Sequence, residues 1–274
     1  MSNPNRAAPA NACDCHIHVF DNRFADVGGG KSKSRPISQY RAAQSRMGTT
    51  RTVVVTPRPC GFDPSCTLDA VAQLGKDNAR GIAVLNPAVT DAELKRFDDG
   101  GIRGIRFTLG NPKVAVTTVD MIEPLARRIS ALGWHVQLNM RGDQIVDNAD
   151  LLQRLELPIV FDHMGRLPQP DGLLHPAYQL IRRLLDKGTA WIKLTSVVYS
   201  ESEVASVGET ARAYIQAAPE RMLWGSDWPH GDREEMPGDK ALFDRLAEWA
   251  PDEQTWQRIL VENPETLYGF GRSA

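Results

Sequence analysis

Short runs of apolar, mostly β-branched residues recur along the chain, and turn-forming residues such as glycine, proline and asparagine bound most of them. Runs of this length and composition are typical of buried strands. They predict eight strands, at residues 13–20, 52–56, 81–85, 102–107, 134–139, 159–163, 191–195 and 222–227. The longer segments between these runs carry a different pattern, in which apolar residues recur every three or four positions.

That second spacing marks one face of an amphipathic helix. It predicts helices at residues 36–47, 122–132, 180–185, 204–218 and 241–249. Strands that alternate with helices pair in parallel through right-handed crossovers. Eight such units in 274 residues predict an α/β fold of the (β/α)8 TIM-barrel type. A doubly wound open sheet is the alternative, and it is disfavoured because no glycine-rich phosphate-binding loop follows an early strand.

No linker interrupts this alternation, so we expect a single barrel domain at residues 13–274. Residues 1–12 are polar and lack the apolar core of a secretory signal, and we expect them to form a flexible tail.

The amino-acid composition limits the classes of partner and the cellular compartment that we expect for this protein. The 32 lysine and arginine residues nearly balance 34 aspartate and glutamate residues, so neither nucleic acid nor a membrane is expected as a partner. The apolar runs are too short to cross a bilayer. Four cysteines make no disulfide framework in a chain of this length, which favours free thiols in a reducing cytoplasm. The oligomeric state stays open.

The first predicted strand carries the most informative chemistry. Residues 13–21 read Cys-Asp-Cys-His-Ile-His-Val-Phe-Asp, with two histidines one residue apart. In a regular strand, Asp14, His16 and His18 would share one face, opposite the two cysteines. Two imidazoles side by side at a strand end suit a site that handles protons, anionic oxygens or a metal ion.

Catalytic groups of a (β/α)8 barrel lie at the carboxyl ends of the strands. Several polar residues stand at the predicted strand ends or in the loops just beyond: His16, His18, Arg58, Arg106, Gln137, Asn139, His163, Thr195, Ser196, Tyr199, Asp227 and His230. Because these ends meet at one face of the barrel, the residues predict a functional site there.

Three of the charged residues have competing interpretations. Asp227 is a candidate general base, although a carboxylate there could also cap the next turn. Arg106 should point into the barrel, where it needs an anionic partner, either a structural aspartate or a substrate carboxylate. Lys193 shares a face with Trp191 and Thr195, and both a structural ion pair and a role in the site fit that position.

The chain also resembles a known family over almost its whole length. The motifs that carry the resemblance lie at residues 14–21, 101–107, 134–137, 161–166, 191–194, 224–230 and 263–270. Together they resemble the amidohydrolase superfamily, and within it the branch of small lactone-processing enzymes. That branch includes 2-pyrone-4,6-dicarboxylate lactonases, sulfomuconolactone hydrolases and galactarolactone isomerases.

The resemblance implies a hydrolase that opens a small lactone by water attack on the ester carbonyl. Asp227 would be the general base, and His16, His18 and His163 would polarise the carbonyl group. Arg106 would hold a carboxylate or a ring oxygen of the substrate.

Five further residues would complete the substrate-binding set: Gln137, Asn139, Arg58, Tyr199 and His230. The neutral groups among them suit a hydroxylated ligand. After Arg106 there is no second arginine but only Lys113, so a substrate with two carboxylates is disfavoured. A sugar-acid lactone or a monocarboxylated muconolactone from aromatic catabolism is expected instead.

Other activities on the same scaffold stay open. In a sugar-acid lactone isomerase, the base would prepare a substrate hydroxyl for attack, and a superfamily decarboxylase would depend on a bound metal. A barrel that only binds a ligand is disfavoured, because binding alone does not need a base opposite several imidazoles.

Metal dependence is the other open question. Classical members of the superfamily hold divalent ions, but Gln137 and Asn139 are poor ligands for a binuclear site. One zinc ion on His16, His18, His163 and Asp227 is chemically possible. The resemblance to the lactonase branch favours a site without metal, in which the histidines donate hydrogen bonds directly.

Overall fold

The computed structural model describes residues 6–27, 32–196, 200, 203–230 and 238–271. Its centre is an eight-stranded parallel sheet in which each strand pairs with the next along the chain. Strands β1 to β8 span Cys13–Ile17, Arg51–Val55, Ala79–Ala83, Ile102–Thr108, His135–Asn139, Ile159–Phe161, Ala190–Leu194 and Met222–Trp224. Each predicted strand is thereby confirmed.

The segment after β8 returns to β1 and closes the barrel. The backbone N–H of Asp227 donates to the carbonyl oxygen of His16 at 2.8 Å, and the N–H of His18 donates to that of Trp228 at 2.7 Å. A Cβ atom on Gly225 would lie 2.6 Å from the Cβ of His16, so only glycine allows this close approach. The predicted barrel is confirmed, and the open-sheet alternative is wrong.

Helices surround the strands. In the described residues, helices α1 to α11 span Ile37–Met47, Ser65–Leu74, Asp91–Asp99, Ile122–Ser130, Gly142–Asp147, Ala149–Arg154, Pro176–Asp186, Val204–Ala217, Asp239–Trp249, Glu253–Gln257 and Asn263–Tyr268. The five predicted helices are α1, α4, α7, α8 and α9. No helix in the described part of the chain is both long enough and apolar enough to cross a membrane.

We call the carboxyl-terminal ends of the strands the mouth of the barrel and the amino-terminal ends its floor. The floor is filled by a buried apolar cluster that consists of Cys13, Cys15, Val53, Val55, Ile82, Val160, Trp191, Leu223, Tyr268 and Phe270. Arg80 Nε donates to the carbonyl oxygen of Tyr268 at 3.0 Å, and its guanidinium carbon lies 4.6 Å from the centre of the Phe270 ring. The end of the described chain thus seals the floor.

The prediction that Asp14, His16 and His18 share one face of the first strand is wrong. Between Asp14 and Ile17, three steps along β1 match only two steps along β2, so β1 contains a bulge. The extra residue breaks the alternation of faces that a regular strand would have. Asp14 therefore accepts hydrogen bonds from Tyr40 Oη of α1 at 3.1 Å and from Ser226 Oγ at 2.6 Å. Burial raises the pKa of this Asp14 carboxyl group to about 6, against the effect of these hydrogen bonds.

Part of the segment expected to be a flexible tail is packed against the barrel. Ala12 is buried, and the carbonyl oxygen of Ala7 accepts a hydrogen bond from Trp256 Nε1 at 3.1 Å. The expectation of a loose tail therefore does not extend to residues 6–12.

Candidate active site

Strands β6 and β8 end before the predicted bounds, and the residues that follow them form turns that shape the site. Strand β6 stops at Phe161, and the next turn places His163 and Met164 at φ values of 51° and 54°. Strand β8 stops at Trp224, and Asp227 has a φ of 61°. Left-handed backbone at residues other than glycine costs about 1–2 kcal/mol each and tends to occur at functional sites.

These turns bring the four predicted catalytic residues together at the mouth. Nε2 of His16 lies 3.3 Å from Nε2 of His18, and Oδ1 of Asp227 lies 3.4 Å from the first and 3.5 Å from the second. The ring of His163 lies beside that of His16, with 5.3 Å between their centres and a tilt of 31°. Of these groups, His16 and His163 are buried, whereas the side chain of Asp227 is 17 % exposed.

The Nδ1 atoms of His16 and His18 have different partners. Nδ1 of His18 lies 2.8 Å from the carbonyl oxygen of Val55, which only accepts, so this nitrogen carries a proton. Nε2 of a neutral His18 is therefore an acceptor. Nδ1 of His16 lies between a donor and an acceptor, 3.5 Å from Nζ of Lys193 and 3.4 Å from Oδ1 of Asp162.

A buried polar network supports His16 from inside the barrel. Oδ2 of Asp162 accepts hydrogen bonds from Nε of Arg106 at 2.8 Å and from Nε2 of Gln137 at 3.2 Å. The side-chain oxygen of Gln137 in turn accepts a hydrogen bond from Lys193 Nζ at 2.8 Å. All four side chains are buried. Both ends of the Gln137 amide are thus engaged, which places this residue among the supporting groups.

The environment of each titratable group sets its charge. Burial would raise the pKa of Asp227, but His163, His18 and His16 hold it well below its ordinary value. Burial lowers the pKa of His163 to about 4, and burial together with Lys193 keeps that of His16 well below 6.5. At neutral pH the ionised carboxylate of Asp227 therefore faces the uncharged imidazoles of His16 and His163.

The two supporting ions are shifted in the same way. Burial would raise the pKa of Asp162, yet Arg106, His16 and Lys193 hold it well below its ordinary value. Burial lowers the pKa of Lys193 to about 8, so its ammonium group still dominates at neutral pH.

The other predicted substrate-binding residues differ in position and in hydrogen-bond partners. Arg106 uses Nε for Asp162, and neither of its terminal nitrogens hydrogen-bonds to another described residue. Arg58 starts a short turn just past β2, and Asn139 ends β5 as a buried residue. Nε2 of His230 lies 3.7 Å from Asp239 at the start of α9. Tyr199 lies outside the described residues.

Comparison with known proteins places the chain in a family. The sequence profile of the amidohydrolase family matches residues 13–270. The chain belongs to this family. It is an enzyme, and its fold is that of an amidohydrolase barrel.

Curated amidohydrolase relatives cover nearly the whole chain. A 4-sulfomuconolactone hydrolase of Rhizobium radiobacter is 32 % identical over 96 % of this chain and 91 % of its own length. A 2-pyrone-4,6-dicarboxylate hydrolase of Comamonas testosteroni is 31 % identical over 97 % and 93 %. A D-galactarolactone isomerase of Agrobacterium fabrum is 28 % identical, also over 97 % and 93 %.

Solved structures agree with this assignment. A protein of Agrobacterium tumefaciens, solved without ligand, superimposes with a TM-score of 0.88 at 27 % identity, over 99 % of this chain and all of its own. An amidohydrolase of Burkholderia multivorans with bound zinc gives a TM-score of 0.75 at 17 % identity, over 96 % of this chain and 100 % of its own, and this likeness shows the fold alone.

The donor atoms of the site fit one divalent ion. Ligands about 2.0–2.1 Å from a tetrahedral zinc ion lie roughly 3.3 Å from one another, close to the spacings among His16, His18 and Asp227. His163 joins His16 and Asp227 in a second set whose donor atoms all lie within 4.8 Å. The amidohydrolase site therefore has the residues to hold a metal. The ammonium group of Lys193 lies 3.5 Å from Nδ1 of His16, and a positive charge there does not favour a bound cation.

The sequence interpretation missed two features of the site. Asp162 was not singled out, although it directly precedes His163 at a strand end. Lys193 was left undecided, and the structure gives it contacts with both Gln137 and His16. The alternation of Trp191, Lys193 and Thr195 was the available signal, because it places all three inside the barrel.

Proposed function

We propose that this amidohydrolase is a lactonase that opens a small carboxylated or polyhydroxylated lactone by adding water to its ester carbonyl. One observation carries the proposal: the ionised Asp227 carboxylate lies 3.4 and 3.5 Å from Nε2 of His16 and His18 at the barrel mouth. A base next to hydrogen-bonding imidazoles is what acyl transfer to water requires. The names of the curated relatives support lactones as the substrate class.

In the first step, Asp227 removes a proton from a water molecule as its oxygen adds to the lactone carbonyl. Because the pKa of this carboxyl group is well below its ordinary value, it is ionised throughout the neutral range. When the His18 ring is neutral, its Nε2 is an acceptor, because Nδ1 donates to Val55, and it orients the second proton of that water. The role that the resemblance implies, in which His18 polarises the carbonyl group, would instead need a proton on Nε2.

The tetrahedral intermediate carries its negative charge on the former carbonyl oxygen. His16 and His163 donate hydrogen bonds to this oxygen from uncharged rings, which burial keeps neutral. Each well-placed donor of this kind contributes about 10²- to 10³-fold to the rate. The intermediate collapses with cleavage of the ring C–O bond.

The leaving ring oxygen takes the proton that Asp227 received from water. The products are a hydroxyl group and a carboxylic acid on one chain, and the acid then releases a proton to solvent. Overall, one lactone and one water molecule give one hydroxycarboxylate and one proton, and Asp227 returns to its starting state.

This chemistry uses the histidines directly and needs no metal. If the enzyme binds a divalent ion, His16, His18 and Asp227, with His163, would hold it, and the ion would supply Lewis acidity and lower the pKa of a bound water. A second ion is disfavoured because Gln137, a weak ligand in itself, is already hydrogen-bonded at both ends.

The substrate carboxylate would meet the arginines at the mouth. The terminal nitrogens of Arg106, which no other described residue engages, would accept it, and Arg58 would approach from the loop after β2. Asn139 and Tyr199 would bind substrate hydroxyl groups. His230 would contribute only at the edge, because its ring faces Asp239. A lactone with a single carboxylate fits this set.

One relative favours a second candidate, since the D-galactarolactone isomerase matches nearly the whole chain. On the same site, Asp227 would remove a proton from a substrate hydroxyl group, which would then attack the carbonyl in place of water. Turnover in ¹⁸O-labelled water separates the two reactions. Hydrolysis incorporates the label and releases acid, whereas isomerisation does neither.

The test is a panel of muconolactones, sugar-acid lactones, a dicarboxylated pyrone and neutral lactones, with product analysis by NMR. We expect turnover of a monocarboxylated or hydroxylated lactone and a fall in kcat of about 10²- to 10⁴-fold in Asp227→Asn. Asp186→Asn, an exposed aspartate in α7, is the matched control. No turnover by the wild type, or full activity in Asp227→Asn, contradicts the proposal.

Metal content is measured on the same preparations. Elemental analysis with activity assays before and after chelation should show less than about a tenth of an equivalent of zinc and undiminished activity. About one equivalent, with activity lost on its removal, would replace the direct histidine mechanism by a metal-dependent one.

A further inference from the structure

We propose that Lys193 is a positioning residue that fixes the proton of His16 on Nε2, so that the site donates hydrogen bonds instead of binding a metal. The inference deepens the proposed lactonase mechanism and rests on it only for the catalytic consequence. It stands on the contacts of one ring nitrogen, Nδ1 of His16, with a buried ammonium group and a buried carboxylate.

Lys193 is held in place for this contact. Its side chain is fully buried in the barrel, and Nζ donates to the Gln137 oxygen at 2.8 Å. From there Nζ lies 3.5 Å from Nδ1 of His16 in hydrogen-bond geometry and 3.8 Å from Oδ1 of Asp162. An ammonium group only donates, so this contact requires a lone pair on Nδ1. A neutral His16 then carries its proton on Nε2.

With its proton on Nε2, His16 donates toward the hydrogen-bond acceptors at the mouth. The Nε2 proton of His16 points toward two acceptors, Nε2 of His18 at 3.3 Å and Oδ1 of Asp227 at 3.4 Å. His18 is an acceptor at this atom because its other nitrogen donates to Val55. The three hydrogen bonds therefore all run in one direction: Lys193 donates to His16, His16 donates to His18, and His18 donates to the Val55 carbonyl.

The opposite tautomer has a ready partner. Oδ1 of Asp162 lies 3.4 Å from Nδ1 of His16, and it is a buried oxygen with no hydrogen bond from the described residues. If His16 turned its Nδ1 proton toward this oxygen, three lone pairs would converge, on His16, His18 and Asp227. A carboxylate behind a histidine in this way is the usual support of a metal ligand.

Lys193 and Asp162 thus compete for Nδ1 of His16. Which of the two hydrogen-bonds to this nitrogen determines whether the site donates hydrogen bonds to a substrate or binds a metal ion. With Lys193 present, Nε2 of His16 is a donor that faces the substrate carbonyl, and the ammonium charge also opposes a cation nearby. Without it, the same histidines and Asp227 form a ligand set at zinc-like spacing.

The experiment uses ¹⁵N NMR of the histidine rings in the full-length enzyme, together with zinc titration by calorimetry. In the wild type we expect the His16 proton on Nε2 and weak zinc binding. In Lys193→Met, which keeps side-chain length without a donor, we expect the proton on Nδ1. Zinc should then bind about 10- to 100-fold more tightly, the range seen when groups behind a metal ligand are changed.

The control variant is Trp191→Phe, which disturbs the buried interior on the same strand but keeps Lys193 and its Gln137 partner. It should retain the Nε2 tautomer and weak zinc binding. Equal tightening in both variants would show general loosening of the barrel and overturn the proposal.

An Nδ1 proton on His16 in the wild type would overturn the proposal without any variant, so it stays falsifiable even if Lys193→Met does not fold. Neither readout uses a lactone. A silent substrate panel would therefore count against the proposed lactonase function and leave the tautomer result intact.

Discussion

The two ends of the barrel interior use the same strands for opposite chemistry. In β7, Trp191 packs into the apolar floor, and two residues later Lys193 enters the polar network at the mouth. In β5, His135 lies at the floor and Gln137 at the mouth. The floor holds together by packing of apolar groups, whereas the mouth holds together because its buried charges neutralise one another.

Residues for stability and residues for chemistry are separate at the floor of the barrel but not at its mouth. In barrels of this type, floor residues serve stability and strand-end residues serve function. The mouth here departs from that division, because Asp162 balances Arg106 and Lys193 in the interior and also stands behind His16. Floor variants should change stability alone, and variants of the mouth network should change both.

The largest effect is expected at Asp162. Asp162→Asn leaves two buried cations without their counter-ion, and breaking a buried pair in this way costs about 3–5 kcal/mol. Activity should fall as well, since Arg106 and His16 lose their support. Urea unfolding and kcat on the best lactone measure the two effects. Asp186→Asn, whose surface partner is Arg182, should change stability by less than about 0.5 kcal/mol.

A change at the floor should separate the two properties. Phe270 is buried, and its ring lies under the guanidinium groups of Arg51 and Arg80 at 5.2 and 4.6 Å. Phe270→Ala should lower the free energy of unfolding by about 3 kcal/mol and leave kcat within about twofold. Leu174→Ala, at an 87 % exposed side chain, is the control. A large loss of kcat in folded Phe270→Ala would show that the two ends are coupled.

A smaller effect at the floor depends on pH. Neither ring nitrogen of His135 has a hydrogen-bond partner among the described residues, and burial lowers the pKa of its ring to about 3. The unfolded chain binds a proton at this histidine below about pH 6.5 that the folded chain does not bind until about pH 3. His135 therefore costs nothing above pH 6.5 and about 2 kcal/mol of stability at pH 5.

His135→Phe should remove this part of the acid sensitivity, because the ring still packs edge-on against Tyr268, as the 5.5 Å separation of the ring centres allows. The measurement is urea unfolding at pH 8 and pH 5 for both proteins. The difference at pH 8 reports packing alone. A wild-type pH dependence that persists unchanged in the variant would assign it to other groups, His163 first, whose pKa burial also lowers.

The sequence predicted the barrel well because its signals are local. Apolar runs, turn residues and helical spacing fix the strand and helix order without knowledge of distant contacts. It also predicted that His16, His18, His163 and Asp227 meet, since parallel strands end at one face. Some missed helices had signals too: the Thr90 and Glu93 pair forms a capping box at the start of α3.

The rest depended on backbone geometry that local pattern does not encode. By alternation, Asp162 follows Val160 into the barrel and His163 would face outward, but the left-handed turn brings His163 back beside His16. Left-handed backbone is uncommon at any residue other than glycine, so the amino-acid sequence at this position does not predict the turn. The bulge in β1 likewise redirected Asp14, and the proton position on His16 follows only from distances.

The smallest expected effect tests the edge of the mouth. Arg58 lies half-buried just past β2, and its side chain makes no hydrogen bond or ion pair with another described residue, so its charge is available to a ligand. Arg58→Gln should raise KM for a carboxylated lactone about tenfold, the size of one charge-assisted hydrogen bond, and leave kcat within about twofold. A neutral lactone is the internal control, and its KM should not change. If KM rises equally for both substrates, Arg58 shapes the pocket and does not read the carboxylate. If it rises for neither, the substrate charge is bound deeper in the mouth, where Arg106 presents its terminal nitrogens.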